Sequence, residues 1–228
     1  MTDLAASGLP GLTLLRPLLR AEVAIGATDP RSVRNRAMPE EVAGLPRAST
    51  KRRRDFAAGR AAAHRAMRGL GGPARPVRIG PDRAPVWPGG LTGSISHSDT
   101  ACLAAVARSD MVRAIGLDVE DDAGLEPELV ATICSETERA WLSGLPPAEA
   151  GRMARLIFSA KECAYKCQYV LSRTLFGFDT LEILPDPGTG RFEAAFAAAV
   201  PPFAAGTRLT GRFAIGAGLI VTAMTLPA

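Results

Sequence analysis

Gly116-Leu117-Asp118-Val119-Glu120 closes an apolar run with an acidic pair, and its placement decides how the chain is organised. In a β-strand successive side chains alternate, so Leu117 and Val119 share one face and Asp118 and Glu120 the other. Two carboxylates on one face of a strand end lie about 6–7 Å apart, a separation that can grip a hard divalent cation. The bland alternative is a strand edge that dissolves into the polar loop Glu120-Asp121-Asp122. The five residues alone do not decide between them.

Working outward, the preceding residues form two more apolar runs. Gly93 to Ser98 leads into Ala101–Ala107, Arg108-Ser109-Asp110 turns, and Ala114–Glu120 returns. This pattern predicts a hairpin in which the returning strand pairs with Ala101–Ala107, bringing His97 towards Asp118. Further upstream, Thr50–Leu70 is alanine-rich and helical, stopped by Gly69, Gly71, Gly72 and Pro73. Phe56, Ala63, Met67 and Leu70 mark its buried stripe, with Arg52 at the N-terminal end of that stripe and Arg60, Arg53 and His64 along a flank. Arg53, Arg54 and Arg65 read as a solvated basic face. Residues 71–93 hold turn formers rather than a periodic element, so Gly80-Pro81-Asp82-Arg83 and Trp87 suggest a binding loop. Near the start, Leu12–Leu15 and Ala21–Ile25 read as short strands, and Met38-Pro39-Glu40-Glu41 as a helix start.

Downstream, Ser135 and Glu138 match a capping box. The strongest helix runs from about Glu149 to Ser172, with Leu156, Ala160, Cys163, Ala164, Cys167 and Leu171 as its buried stripe. Glu162 and Lys166 are i,i+4 partners on another line; by themselves they read as an exposed ion pair of little consequence. Strands are expected at Leu181–Leu184, Arg191–Phe196, Thr207–Ile215 and Leu219–Leu226.

Composition narrows the class. The 228 residues suffice for one large or two small domains with real cores. No apolar run reaches the length of a membrane span, and Met1–Leu4 does not begin like a signal peptide, so a cytoplasmic protein is expected. Cys102, Cys134, Cys163 and Cys167 are too scattered for a disulfide framework, and the two histidines do not complete a zinc site. The net charge of +4 is concentrated at Lys51–Arg54, which suits an anionic partner. A nucleic-acid-binding module is one way to use that run, but no aromatic residues are interleaved with it and the carboxylates stay unexplained.

Four strings then occur in one order: KRRRDFAAGR from Lys51, IGPDRAPVWPGGLTGSISHS from Ile79, IGLDVE from Ile115, and FSAKECAYK from Phe158 followed by LFGFD from Leu175. As a set, spanning about Met38 to Asp179, they resemble the Sfp-type 4′-phosphopantetheinyl transferases, in particular the branch typified by enterobactin synthetase component D. The resemblance implies an α+β fold of two similar halves related by a pseudo-twofold within one monomeric chain. Residues 1–112 would be the N-terminal half, on the coenzyme A 3′-phosphate and adenine side. Residues 113–228 would be the C-terminal half, with the metal and the catalytic helix. It implies a holo-acyl-carrier-protein synthase type of enzyme that uses magnesium, or manganese in its place. The enzyme moves phosphopantetheine from coenzyme A to a serine of an apo carrier protein and releases 3′,5′-adenosine bisphosphate. The carriers would be peptidyl, aryl or acyl carriers of nonribosomal peptide, siderophore, polyketide or fatty-acid synthesis, with no nucleic-acid partner.

By motif position, Asp118, Glu120 and Glu162 would be the metal ligands. Arg52, Arg60, Gly80, Pro81, Asp82 and Arg83 would bind the nucleotide end of coenzyme A, and Ser96 and His97 its phosphates. Glu162 would act as general base, and Lys166 would sit against the pyrophosphate and help the leaving group. Lys161, about 100° round the helix, is a weaker candidate for the same phosphates. The motif's usual Trp is Phe158 here, and its usual Ala or Ser after the Glu is Cys163; neither departure disturbs the chemistry.

Overall fold

The computed structural model describes residues 9–45 and 48–228; the start of the chain at Met1–Leu4 lies outside these. In chain order the elements are α1 (Pro10–Leu15), β1 (Ala24–Thr28), α2 (Pro39–Val42), α3 (Thr50–Gly69), β2 (Arg78–Ile79), β3 (Pro85–Val86), β4 (Leu91–His97), β5 (Cys102–Arg108) and β6 (Val112–Asp121). There follow α4 (Pro127–Ile133), α5 (Glu136–Ser143), α6 (Pro147–Ser172), β7 (Leu181–Asp186), β8 (Arg191–Phe196), β9 (Arg208–Gly216) and β10 (Leu219–Pro227). The architecture is mixed α+β, as expected. Among the described residues no helix is long and apolar enough to cross a membrane.

Two antiparallel sheets, β1-β5-β4 and β6-β10-β9-β8-β7, are each backed by one long helix. Side-chain alternation explains the layers. On β5, Cys102, Ala104 and Val106 pack with Ala58, Ala62, Ala63 and Met67 of α3, whereas Leu103, Ala105 and Ala107 face the other way. That second face meets Ile115, Leu117 and Val119 of β6 in a central core. The opposite face of the larger sheet packs on α6 through Leu156, Ile157, Cys163 and Cys167, with Phe192, Phe196 and Ile220. Burial on both faces accounts for the almost continuous apolar run of β5.

The expected hairpin is corrected. Strand β5 already pairs with β1 on one edge and β4 on the other, with His97 opposite Cys102 and Leu91 opposite Arg108. No edge is left for β6, which joins the second sheet and places Asp118 opposite Thr222 of β10. Strand β4 still runs against β6 at the seam of the two sheets. Leu12–Leu15 is helical within α1 rather than a strand, because Pro10 at its first turn has no N–H to leave unpaired. The first strand lies a little later than expected, at Ala24–Thr28. Ser135 caps α5, accepting from the Glu138 N–H while Glu138 accepts from the Ser135 N–H, as the capping box requires.

Candidate active site

The acidic strand end lies where the two sheets meet. Strand alternation sends Leu117 and Val119 into the central core and turns Asp118 and Glu120 towards α6. On α6, Arg155, Glu162, Lys166, Tyr169 and Arg173 fall within roughly 60° of one another at 100° per residue. One line of the helix therefore carries the polar side chains of the seam.

Asp118 is buried, and its Oδ1 accepts from Lys166 Nζ at 2.7 Å and from Ser96 Oγ at 2.7 Å. Lys166 also donates to Ser96 Oγ at 3.2 Å and to the Leu117 carbonyl at 3.3 Å. Ser96 from β4, Asp118 from β6 and Lys166 from α6 thus form one hydrogen-bonded cluster. Burial works against the Lys166 ammonium, but the Asp118 and Glu162 carboxylates outweigh it and raise its pKa, so it stays charged. Burial also raises the Glu162 carboxyl; Lys166 opposes the rise and Asp118 adds to it. Burial, helped by the Asp118 charge, pushes Glu120 up to about 7.

Among the described residues no three histidine, cysteine or carboxylate side chains converge as a ready-made metal cage. The expected trio is not gathered: Glu120 Oε2 accepts from Arg155 at 3.2 Å, and Lys166 and Ser96 occupy Asp118 Oδ1. The donor chemistry nonetheless suits a hard divalent cation at one atom. Asp118 Oδ2 is buried with no hydrogen-bond partner among the described residues, a costly state for a carboxylate oxygen unless something completes it.

Beyond Ser96 a cleft of about 490 Å³ opens between α3 and the 79–85 segment. Arg52, Arg60 and Arg83 line it together with Ser96 and His97, so these five sequence-predicted residues share one surface. Arg60 lies over the Phe56 ring at 4.2 Å, and its Nε is buried without a partner. Burial pulls its pKa down to about 10, and the neighbouring Arg52 charge pulls the same way, yet it remains a cation at neutral pH. A desolvated, underbonded guanidinium favours an anionic ligand. Alternation on β4 separates the two motif residues: Ser96 meets Asp118, whereas His97 Nε2 stands 3.8 Å from Asp55 on α3. Gly80, Pro81 and Asp82 line a second cleft of about 600 Å³, which Arg83 and Lys166 also border.

Two expectations fail. Lys161 does not reach the seam. It is buried, pairs with Glu138 at 2.9 Å, and donates to the carbonyls of Ile133 and Phe178. The rotation that separates it from Glu162 aims it at α4 and α5, where it ties those helices to α6. Arg65 is half-buried and donates to the Ala27 carbonyl, so it is not part of a solvated face.

Sequence reasoning also missed residues. Arg155 clamps Glu120, the Gly124 carbonyl and Glu126; its i−7 relation to Glu162 was the available signal. Glu41, taken for a helix-start acid, is buried and accepts from His64 Nε2 at 2.9 Å and the Val77 N–H at 2.7 Å. Nothing local could have revealed that partnership.

Comparison with known proteins fits this geometry. Residues 40–107 match the family model for the 4′-phosphopantetheinyl transferase N-terminal domain, and residues 114–211 match that for the 4′-phosphopantetheinyl transferase superfamily. The chain is 39% identical to the 4′-phosphopantetheinyl transferase Svp of Streptomyces mobaraensis over 83% of its own length and 78% of the relative. It is 34% identical to the 4′-phosphopantetheinyl transferase PptT of Mycobacterium tuberculosis over 98% of both chains. It is 40% identical to enterobactin synthase component D of Salmonella typhi over 61% of this chain and 57% of the relative.

Proposed function

The chain belongs to the 4′-phosphopantetheinyl transferase superfamily and is a 4′-phosphopantetheinyl transferase, and from that premise we propose how its residues divide the reaction. The co-substrate is coenzyme A and the acceptor is a serine of an apo carrier protein. The serine oxygen forms a bond to the β-phosphorus, the bond to the bridging oxygen breaks, and 3′,5′-adenosine bisphosphate leaves. One observation carries the reading: Ser96 lines the cationic cleft and also bonds Asp118 and Lys166, so a nucleotide in the cleft extends its phosphates onto that cluster.

Arg52, Arg60 and Arg83 hold the 3′-phosphate and adenine side, where guanidinium forks suit phosphate oxygens. Gly80, Pro81 and Asp82 shape the wall. His97 and Ser96 contact the phosphates. Lys166, kept charged by its carboxylate neighbours, stands against the pyrophosphate and offsets charge on the leaving phosphate. Glu162, with its carboxyl raised by burial, is the better base for it and accepts the serine proton. Asp118, through its unpartnered Oδ2, would hold magnesium or manganese, and Glu120 would have to leave Arg155 to join Glu162 as a further oxygen ligand. When bound, the ion neutralises charge on the pyrophosphate and polarises its oxygens.

The division into residues 1–112 and 113–228, related by a pseudo-twofold, belongs to this reading. It is supported by the two helix-backed sheets that meet at β4 and β6. A cytoplasmic monomer also belongs to it; four free, buried cysteines suit a reducing compartment. Peptidyl, aryl and acyl carriers are the candidate acceptors, siderophore and enterobactin-type synthetases among them.

The test is mass spectrometry of a panel of apo carriers incubated with the protein, coenzyme A and magnesium. The phosphopantetheine mass increment is expected on a carrier serine. Glu162→Gln should slow turnover and keep coenzyme A binding. If binding collapses and bound substrate turns over normally, the base assignment is wrong.

A further inference from the structure

The segment 80–84 forms a tight tip between two-residue strands β2 and β3, which are too short to hold a conformation on their own. The tip is closed by the Gly80 N–H donating to the Ala84 carbonyl at 2.8 Å and by the Ala84 N–H donating to Asp82 Oδ1 at 3.0 Å. Within it Arg83 adopts φ +66°, the left-handed region that a non-glycine residue occupies at a cost. The base of the segment is anchored: Trp87 packs on the α3 core, and Ile79 lies against Gly44. At the tip, the side-chain tether to the rest of the protein comes from α6. Tyr169 Oη donates to Asp82 Oδ2 at 2.6 Å.

Tyr169 is itself held. Its ring stacks on Tyr165 at 5.9 Å with planes 19° apart, and the Arg173 guanidinium lies 5.7 Å from its centroid. It stands one helical turn beyond Lys166, on the line that carries Glu162. The tip it holds is the wall between the 490 Å³ and 600 Å³ clefts, and Arg83 borders both.

We propose that Tyr169 is a positioning residue that latches the 80–84 tip to α6, setting Arg83 against the nucleotide and coupling the affinity for coenzyme A to the helix that carries Glu162 and Lys166. The proposal rests on the reading of the 490 Å³ cleft as the nucleotide end of the coenzyme A site. Tyr169 touches no reacting atom. Without its hydroxyl, only the tip's own hydrogen bonds hold Arg83 in a strained backbone conformation while the site is empty, and ligand binding must do more of the ordering. The cost falls on binding and not on the chemical step. Asp82 serves twice, one oxygen closing the tip and the other receiving the latch.

The test compares Tyr169→Phe, Asp82→Asn and Arg83→Ala with the unaltered enzyme, reading KM for coenzyme A, kcat and amide hydrogen exchange of residues 80–86 without ligand. Tyr169→Phe keeps the ring and its stacking. It is expected to raise KM roughly five- to tenfold, the upper range of one typical intramolecular hydrogen bond. Its kcat should stay within about twofold, with faster exchange at Arg83 and Ala84. Asp82→Asn retains an acceptor for the Tyr169 hydroxyl and should lie between the two. Arg83→Ala separates the layers of the argument. If it raises KM and Tyr169→Phe does not, the latch is wrong and the cleft reading stands. If neither moves KM, both are wrong. A fall in kcat at constant KM in Tyr169→Phe would place the tyrosine in the chemistry and overturn a positioning role.

Discussion

Helix α3 turns Ala58, Ala62, Ala63 and Ala66 to its sheet, whereas α6 turns Met153, Leu156, Ile157, Cys163 and Cys167 to the larger one. Both let a strand come unusually close. A Cβ on Gly26 of β1 would stand 2.1 Å from the Ala62 carbonyl oxygen, and one on Gly116 of β6 would stand 2.0 Å from that of Cys163. The two layers thus share a packing device and differ in what they carry at the cleft. From α3 come Arg52 and Arg60, cations suited to gripping a ligand. From α6 come Glu162 and Lys166, a carboxyl and an ammonium set beside Asp118. Under the proposed division of roles, the difference teaches that one scaffold would hold binding on one helix and chemistry on the other, with Ser96 on β4 as the hinge between them.

The largest effect should come from the chemical side. Asp118→Ala removes the acceptor shared by Lys166 and Ser96 and should lower carrier modification on the order of a hundred- to a thousandfold, measured by mass increment over time. Retention of full activity would end the assignment of Asp118. The two glycines sharpen the contrast next. Gly116→Ala and Gly26→Ala should each lose about 1–3 kcal/mol, read as a drop in Tm, because the intruding methyl meets helix backbone that cannot rotate away. Below their melting points they should diverge. Gly116→Ala displaces α6 and should lower kcat; Gly26→Ala displaces α3 and should raise KM for coenzyme A. The reverse pattern would break the proposed division of labour.

The smallest effect is a pH dependence confined to the α3 side. Burial alone would raise the Glu41 pKa, but hydrogen bonds from His64 and from the Val77 and Met38 N–H groups outweigh it, and the net direction is down from 4.5. A depressed carboxylate contributes stability that is present above its unfolded pKa and is lost as pH falls through the folded one. The Tm advantage of the unaltered protein over Glu41→Gln should therefore be full near neutrality and shrink as the pH falls below about 4.5. A difference that stays constant down to pH 3 would refute the linkage. Activity ratios measured at neutral pH should not report it.

Much of the site was legible because it rests on short-range order. Alternation along β6 fixed which face Asp118 and Glu120 share, and helical spacing placed Glu162 and Lys166 on one line. The basic run before Phe56 and the turn-rich 80–83 segment announced their polarity directly. Other features were hidden. Lys161 and Glu162 are neighbours in sequence and border one small pocket with Phe176 and Phe178, yet Lys161 is sealed against Glu138 whereas Glu162 feels the charges of Lys166 and Asp118, and only the positions of α4 and α5 decide that. Glu41 met His64 and Val77 across two other elements, with no local mark of the meeting.

By itself the sequence determined the element types outside Leu12–Leu15, the α6 stripe, the Ser135 cap and the motif order that identifies the family. These follow from backbone propensity and side-chain periodicity, which act over a few residues. Tertiary structure alone decided the strand partners. An apolar run pairs wherever a free edge remains, and β5 had spent both of its edges on β1 and β4. That sent β6 to β10 and set its acidic end against β4 at the seam, so that Ser96, and not His97, meets Asp118.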